Sequence, residues 1–318
     1  MTTAITVPFT TEADWLASRR ADITSTESAA LFGMSPYMTA FELWHRKKSG
    51  DVPVFASNER MQWGNRLESA IAHGIAEDRG WTIEPMKDYM RLPDERIGAS
   101  FDFVITNLPD GPAHLEIKNV DFLAFRDNWI LDNDGFDEAP EHIEVQVQHQ
   151  MMVSGYSRSF IGALVGGNTT YVIERQRDEP VIDALRARIA KFWATVDANA
   201  EPAPIMPHDA DAVIRLNQYA NPGKILDVSG DAEIVTMVAD YRAAKRDADA
   251  AEERSKVLKA ELMARLGDAE KILGETWSIS AGMIADTPPT VVTADMVGTT
   301  IGGRKGYRMF RVNNKKAK

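Results

Sequence analysis

HLEIKNV, residues 114–120, decides the fold of the first half of this chain. Glu116 and Lys118 stand two apart in a β-prone run, so the period of a strand puts both side chains on one face and turns Leu115 and Ile117 toward a core. Upstream, RIGASFDFVI (96–105) alternates in the same way, with Ile97, Ala99, Phe101, Phe103 and Ile105 on one face and Asp102 on the other. Between the two runs lies TNLPDGP, where Pro109 and Pro112 fix φ and Gly111 allows positive φ, so a hairpin is predicted. Asp102 and Glu116 then lie side by side.

Two carboxylates about 5 Å apart on neighbouring strands repel, and each pKa rises unless a cation sits between them. Magnesium, with manganese as its substitute, suits such a pair, because it takes one or two carboxylates together with waters and phosphate oxygens; the carbonyl of Ile117 is a further donor. Lys118 beside that site can orient an attacking water while the metal polarises a phosphoryl oxygen. The reaction class implied is phosphodiester hydrolysis. A Glu-x-Lys pair in a strand also arises as a plain ion pair, and an Asp on an edge strand as a solvated one, so the wider constellation has to carry the reading.

That constellation has two helical parts. NERMQWGNRLESAIAHGIAEDRG (58–80) spaces Met61, Leu67, Ile71 and Ile75 as a helix and ends on Gly80. Glu68 borders this stripe, and Gly64, one turn earlier, is expected to let the helix approach the sheet. PEHIEVQVQHQMMVSGY (140–156) supplies Gln146, Gln148 and Gln150, amides that bind water or phosphate without adding charge.

Over residues 15 to about 193, the order of these motifs resembles the YqaJ-like viral recombinase family, the phage lambda exonuclease type of PD-(D/E)XK nuclease. RRADITSTESAALFGMSPYMTAFELWHRKKSG (19–50) looks like its N-terminal segment, GNRLESAIAHGIAEDRGW (64–81) like its Glu-bearing helix, and VQVQHQMMVSGYSRSFIGALVGGNTTYVIER (145–175) like its glutamine helix and closing strands. The resemblance implies an α/β (α+β) fold, with a restriction-endonuclease-like core whose central mixed sheet is flanked by helices. It implies that Asp102 and Glu116 bind metal, that Glu68 completes the acidic cluster, that Lys118 assists the nucleophile and that Gln148 orients water or phosphate. Arg19 matches the arginine that holds a 5′-terminal phosphate, with Thr26 beside it; Arg20 is the alternative if the register shifts by one. The implied substrate is a double-stranded DNA end, degraded 5′ to 3′ to leave a 3′ single strand, with a single-strand annealing protein as partner and a cyclic homo-oligomer as assembly. An endonuclease or repair nuclease of the same fold, and a DNA-binding or assembly module without turnover, are the alternatives. Where the family reads Ser-Pro-Asp-Gly, this chain reads Ser100-Phe101-Asp102-Phe103. Without the glycine the segment is expected to run as plain strand, with Phe101 and Phe103 buried behind the site.

The 318 residues include no cysteine, which excludes disulfides, thiol catalysis and Cys-ligated iron–sulfur clusters. There is no GxxxxGK[ST] phosphate loop and no paired His spacing for zinc. No apolar run approaches a membrane span, and MTTAITVPFTTEADW lacks the regions of a secretory signal, so a cytoplasmic protein without membrane contact is expected, in the bacterial host if phage-encoded. Of the net charge of −11, all lies in residues 1–200, which carry 19 Lys+Arg against 30 Asp+Glu, while residues 201–318 carry 17 of each. Part of the excess is LDNDGFDEAPEHIE, where Asp132, Asp134, Asp137, Glu138, Glu141 and Glu144 stand without one Lys or Arg and read as a solvated acidic loop.

Three segments follow from these patterns: a nuclease core at 1–200, a proline-dotted connector at 201–228 and a C-terminal unit at 229–318 made of a long helix and short strands. In the last, Tyr241, Ala244, Ala248, Ala251, Ser255, Leu258 and Leu262 repeat at three and four residues, a narrow seam on a helix about 50 Å long that calls for its own chain, another subunit or a partner. RKGYRMFRVNNKKAK ends the chain with seven Lys/Arg and no acid, suited to a nucleic-acid backbone or to a basic edge strand.

Overall fold

The structure is a computed structural model that describes residues 4–9, 11–49, 59–86, 88–131, 137–217, 221, 223–286, 307–308 and 311–314. The chain divides into two compact units, Met1–Ala220 and Asn221–Lys318. In the first, the elements run β1 (Ile5–Val7), α1 (Glu12–Arg20), β2 (Ile23–Thr24), α2 (Ala40–Ser49), α3 (Glu59–Arg79), β3 (Ile83–Pro85), β4 (Tyr89–Leu92), β5 (Ile97–Ala99), β6 (Phe103–Ile105) and β7 (Ala113–Val120). They continue as α4 (Phe122–Asn128), α5 (Glu141–Ser154), β8 (Arg158–Val165), β9 (Thr169–Gln176), α6 (Glu179–Asp197) and α7 (Ala210–Leu216).

The central sheet is mixed, in the order β3-β6-β7-β8-β9. β6 and β7 form the expected antiparallel hairpin, with Phe103 opposite Leu115, and Gly111 takes the positive φ that its turn requires. β7 and β8 are parallel, which forces a long crossover through α4 and α5, whereas β8 and β9 form a second hairpin. α3 lies on one face, burying Ile71, Ala72 and Ile75 against Phe103, Leu115 and Ile117. The glycine that allows this approach is Gly162 on β8, where a Cβ would stand 2.8 Å from Cδ1 of Ile75. Gly64, assigned that role from its spacing, has open space around it, and Met61 is exposed.

The run 96–105 is not one strand. β5 belongs to a second sheet, β1-β4-β5-β2, and β6 to the central one, so the chain changes sheets across Ser100–Asp102. The two phenylalanines consequently enter different cores. Phe101 packs with Ile97, Leu185 and Trp193, and Phe103 with Ile71 and Leu115. Phe101 also stacks on His114, with ring centroids 4.3 Å apart. Alternation cannot register this change, because both halves bury the same side-chain parity.

α5 is buried almost all round, from Gln146 to Val153, since it fills the space between the two sheets. Residues 201–217 are fastened to the first unit, where Asp209 accepts from the hydroxyl of Thr39 and Arg215 pairs with Glu42 at 3.0 Å. Glu144 of the acidic segment pairs with Arg175 at 2.6 Å, so it is no part of a solvated loop; Asp132 and Asp134 lie outside the described residues.

The second unit consists of α8 (Ala232–Leu266), capped by Asp231, then β10 (Lys271–Leu273), β11 (Trp277–Ser280), β12 (Met283–Ile284), β13 (Tyr307–Arg308) and β14 (Arg311–Asn314). Leu262, Met263 and Leu266 at the end of α8 pack on Ile272, Ile279 and Ala281. Most of the basic C-terminal tail lies outside the described residues. No helix among the described residues is long and apolar enough to cross a membrane.

Candidate active site

Asp102 leaves the strand break just as β6 begins, and its Oδ2 accepts the backbone N–H of Ile117 at 2.8 Å. The next residue back along β7, Glu116, is only 4% exposed, and its carboxylate is held by side chains among the described residues. Oε1 accepts from Lys118 Nζ and Gln146 Nε2, both at 2.6 Å, and Oε2 accepts from Gln150 Nε2 at 2.7 Å. Lys118 Nζ also donates to Gln146 Oε1 at 3.2 Å. The period of two thus places Glu116 and Lys118 together, and the helical offset of four places Gln146 and Gln150 above them.

The charges do not balance. Asp102, Glu116 and Glu68 share one lysine. Burial, then Glu116, raises the Asp102 carboxyl well above its ordinary value, against the opposing pull of Lys118 and the Ile117 N–H. Burial and Glu116 likewise raise Glu68, which α3 holds half-buried on the same side. Burial disfavours the Lys118 ammonium, but Glu116 and Asp102 overcome it, and its pKa is raised. Gln150 Oε1 is buried and accepts no hydrogen bond among the described residues.

Among the described residues, no three His, Asp or Glu side chains already stand at metal-binding distances. The donor chemistry nonetheless fits a hard divalent cation, which needs only one or two carboxylates besides waters. Two repelling carboxylates, one just before β6 and one on β7, and an amide oxygen without a hydrogen bond among the described residues are oxygen donors of the type such an ion takes. Asp102, Glu116 and the Ile117 carbonyl would hold it, with Glu68 nearby.

A second cluster adjoins the first. Arg19, at the end of α1, lies over the Trp15 ring at 4.3 Å and directs its guanidinium at three hydroxyls: Thr26 at 3.2 Å, Ser100 at 3.4 Å and Thr24 at 3.5 Å. Burial lowers its pKa, against Glu27. Glu27 is instead paired with Lys47 at 2.8 Å, so Arg19 has no carboxylate partner among the described residues. Arg20, its neighbour, is exposed. Ser100 joins the two clusters, since its carbonyl accepts from Gln150 Nε2 at 3.1 Å, the same nitrogen that holds Glu116.

Residues 14–157, which contain every group just described, match the model of the YqaJ-like viral recombinase domain. Over 187 residues the chain is 29% identical to the uncharacterized protein YqaJ of Bacillus subtilis strain 168; the match spans 57% of this chain and 54%, about half, of that protein. Among solved structures, an alkaline exonuclease from Laribacter hongkongensis is similar with a TM-score of 0.46 and 17% identity, over 64% of this chain and 99% of that one. A phage-related exonuclease from Haemophilus somnus 129PT gives a TM-score of 0.40 and 13% identity, over 56% and 94%.

Within the matched segment, the structure brings Asp102, Glu116 and Lys118 together, leaves Glu68 near enough to Glu116 for their charges to interact, and sets Arg19 against Thr26. Gln148 does not join them. It faces away from Glu116, donating to the Gln176 carbonyl at 2.8 Å and accepting from the Asp178 N–H at 3.0 Å, and so ties β9 to the start of α6. Its position two residues from Gln146 and Gln150 puts it on another side of the helix. The sequence reading also missed Ser100 and Trp15, whose roles depend on contacts 80 or more residues apart in sequence.

Proposed function

We propose that the chain is a magnesium-dependent deoxyribonuclease that acts on duplex DNA ends, degrading 5′ to 3′ and leaving a 3′ single strand for annealing. The observation that carries this reading is the coupling of the Asp102–Glu116–Lys118 cluster to the cationic pocket of Arg19 through Ser100 and Gln150. A bound magnesium or manganese ion supplies Lewis acidity toward the scissile phosphate and lowers the pKa of a water. The two glutamines fix the Glu116 carboxylate, and Asp102 is fixed by Ile117, so both ligands are positioned before substrate arrives. Lys118, charged and half-buried, holds the attacking water and stabilises charge developing on phosphate oxygen. Arg19 presents an arginine fork surrounded by hydroxyls, an arrangement suited to a terminal phosphate monoester.

The resemblance to the YqaJ-like viral recombinase family supports a place in phage-type recombination, with an annealing protein as partner and a cyclic homo-oligomer as the working assembly. The test uses linear duplexes labelled at either end, with and without 5′-phosphate, beside a closed circle and a Lys118→Ala control. Progressive 5′ loss that needs magnesium and the phosphate, spares the circle and vanishes in the control is the expected result. Cleavage of the circle would assign an endonuclease, and binding without product under any divalent ion would assign an assembly role.

A further inference from the structure

Among the described residues of its own unit, helix α8 is packed only at its C-terminal end. Before that, Tyr241, Ala244, Ala248, Ala251, Ser255 and Leu258 alternate at steps of three and four along one seam, the 3.5-residue period of a coiled coil. The seam is exposed, Tyr241 by 67% and Leu258 by 52%. A helix of this length draws its stability from a covered apolar face, and small residues mid-seam let a second helix come within about 8 Å.

The charges flanking the seam identify what covers it. Lys245, Asp247, Glu252 and Arg254 are all exposed at the positions that border a coiled-coil contact. If two copies of α8 run antiparallel about a dyad between Asp249 and Ala250, Ala248 faces Ala251 and Tyr241 faces Leu258. Lys245 then meets Glu252 and Asp247 meets Arg254, each twice by symmetry; only Asp240 meets a like charge, at Glu261. Parallel and in register, Asp247 would meet Glu252 and Arg254 would meet Lys259, leaving Asp240 with Lys245 as the attractive pair. Bordering charges set partner and orientation in such contacts, and a two-fold interface must be self-complementary. We propose that α8 is a homotypic docking surface that pairs antiparallel with α8 of a second copy of this chain, independently of the nuclease reading.

The full-length chain provides the test. Lys245→Glu/Arg254→Asp makes both attractive pairs acidic, and Asp247→Arg/Glu252→Lys makes both basic. In sedimentation each variant alone should show half the assembly mass of the parent, and an equimolar mixture should recover it. Because the chain has no cysteine, Ala239→Cys gives one spin label on the outer side of α8. Antiparallel pairing separates the two labels by about 30 Å along the axis, whereas parallel pairing brings them within roughly 20 Å. Unchanged mass in both charge variants, no recovery on mixing, or a short label distance would overturn the proposal.

Discussion

Gln150 Nε2 lies 2.7 Å from Oε2 of Glu116, opposite the carboxylate oxygen that Gln146 and Lys118 share. One amide nitrogen therefore sets the second lone-pair direction of the central acid, which positioning by the lysine alone would leave free. Replacing Gln150 by Leu should keep the fold and lower single-turnover cleavage roughly 10- to 100-fold, the usual cost of losing a group that orients a ligand. Gln148→Leu should do the reverse, leaving the cleavage rate near that of the parent and reducing stability in urea by about 1–2 kcal/mol through two lost hydrogen bonds. Equal effects on rate would contradict the division of roles.

Asp102 carries the largest electrostatic conflict of the site. Its folded-state pKa is raised, so its contribution to stability is complete below the unfolded value near about 3.9 and is lost as pH rises through the folded value. Asp102→Asn keeps an oxygen for the Ile117 N–H and removes the buried charge. Without metal at neutral pH, the variant should melt no lower than the parent. Millimolar magnesium should raise the melting temperature of the parent and leave the variant unmoved. A variant that melts lower without metal, or that still responds to magnesium, would remove Asp102 from the proposed metal site.

Arg19 should control how the end of the substrate is read. Exchanging it for Gln removes a charge-assisted contact of about 1.5–3 kcal/mol, so the preference for a 5′-phosphorylated duplex over an unphosphorylated one should fall about 10- to 100-fold. Arg20→Gln serves as the control, since that side chain is exposed, and should preserve the preference. The measurement is kcat/KM on the paired substrates.

How much of this was legible from residues follows from where the information sits. The hairpin of β6 and β7 and the pairing of Glu116 with Lys118 depend on local periods, and both are present. The break at Ser100–Asp102 is not local. It is associated with the stacking of Phe101 on His114 and of His114 on Tyr156, contacts between distant segments that alternation cannot encode. The choice among the glutamines was legible in principle, because residues 146 and 150 share a helix face that 148 leaves. The direction of that face was not, since α5 is buried almost all round and its sequence marks no single inner side.

His149, on the same helix, gives the acid-side prediction. It is fully buried, hydrogen-bonded through Nε2 to the Gly98 carbonyl at 3.1 Å, and burial pushes its pKa down to about 4. The unfolded chain takes up a proton there near pH 6.5 and the native protein does not, so the neutral ring favours folding above that pH and the advantage fades as pH falls toward 4. Gln at 149 keeps an amide donor for Gly98 and does not titrate. Subtracting the variant's urea stability from the parent's across this range should give a difference that falls toward acid by about 3 kcal/mol in all. Other groups titrate in both proteins and cancel in the subtraction. A flat difference would mean that the native protein protonates His149 as readily as the unfolded chain does.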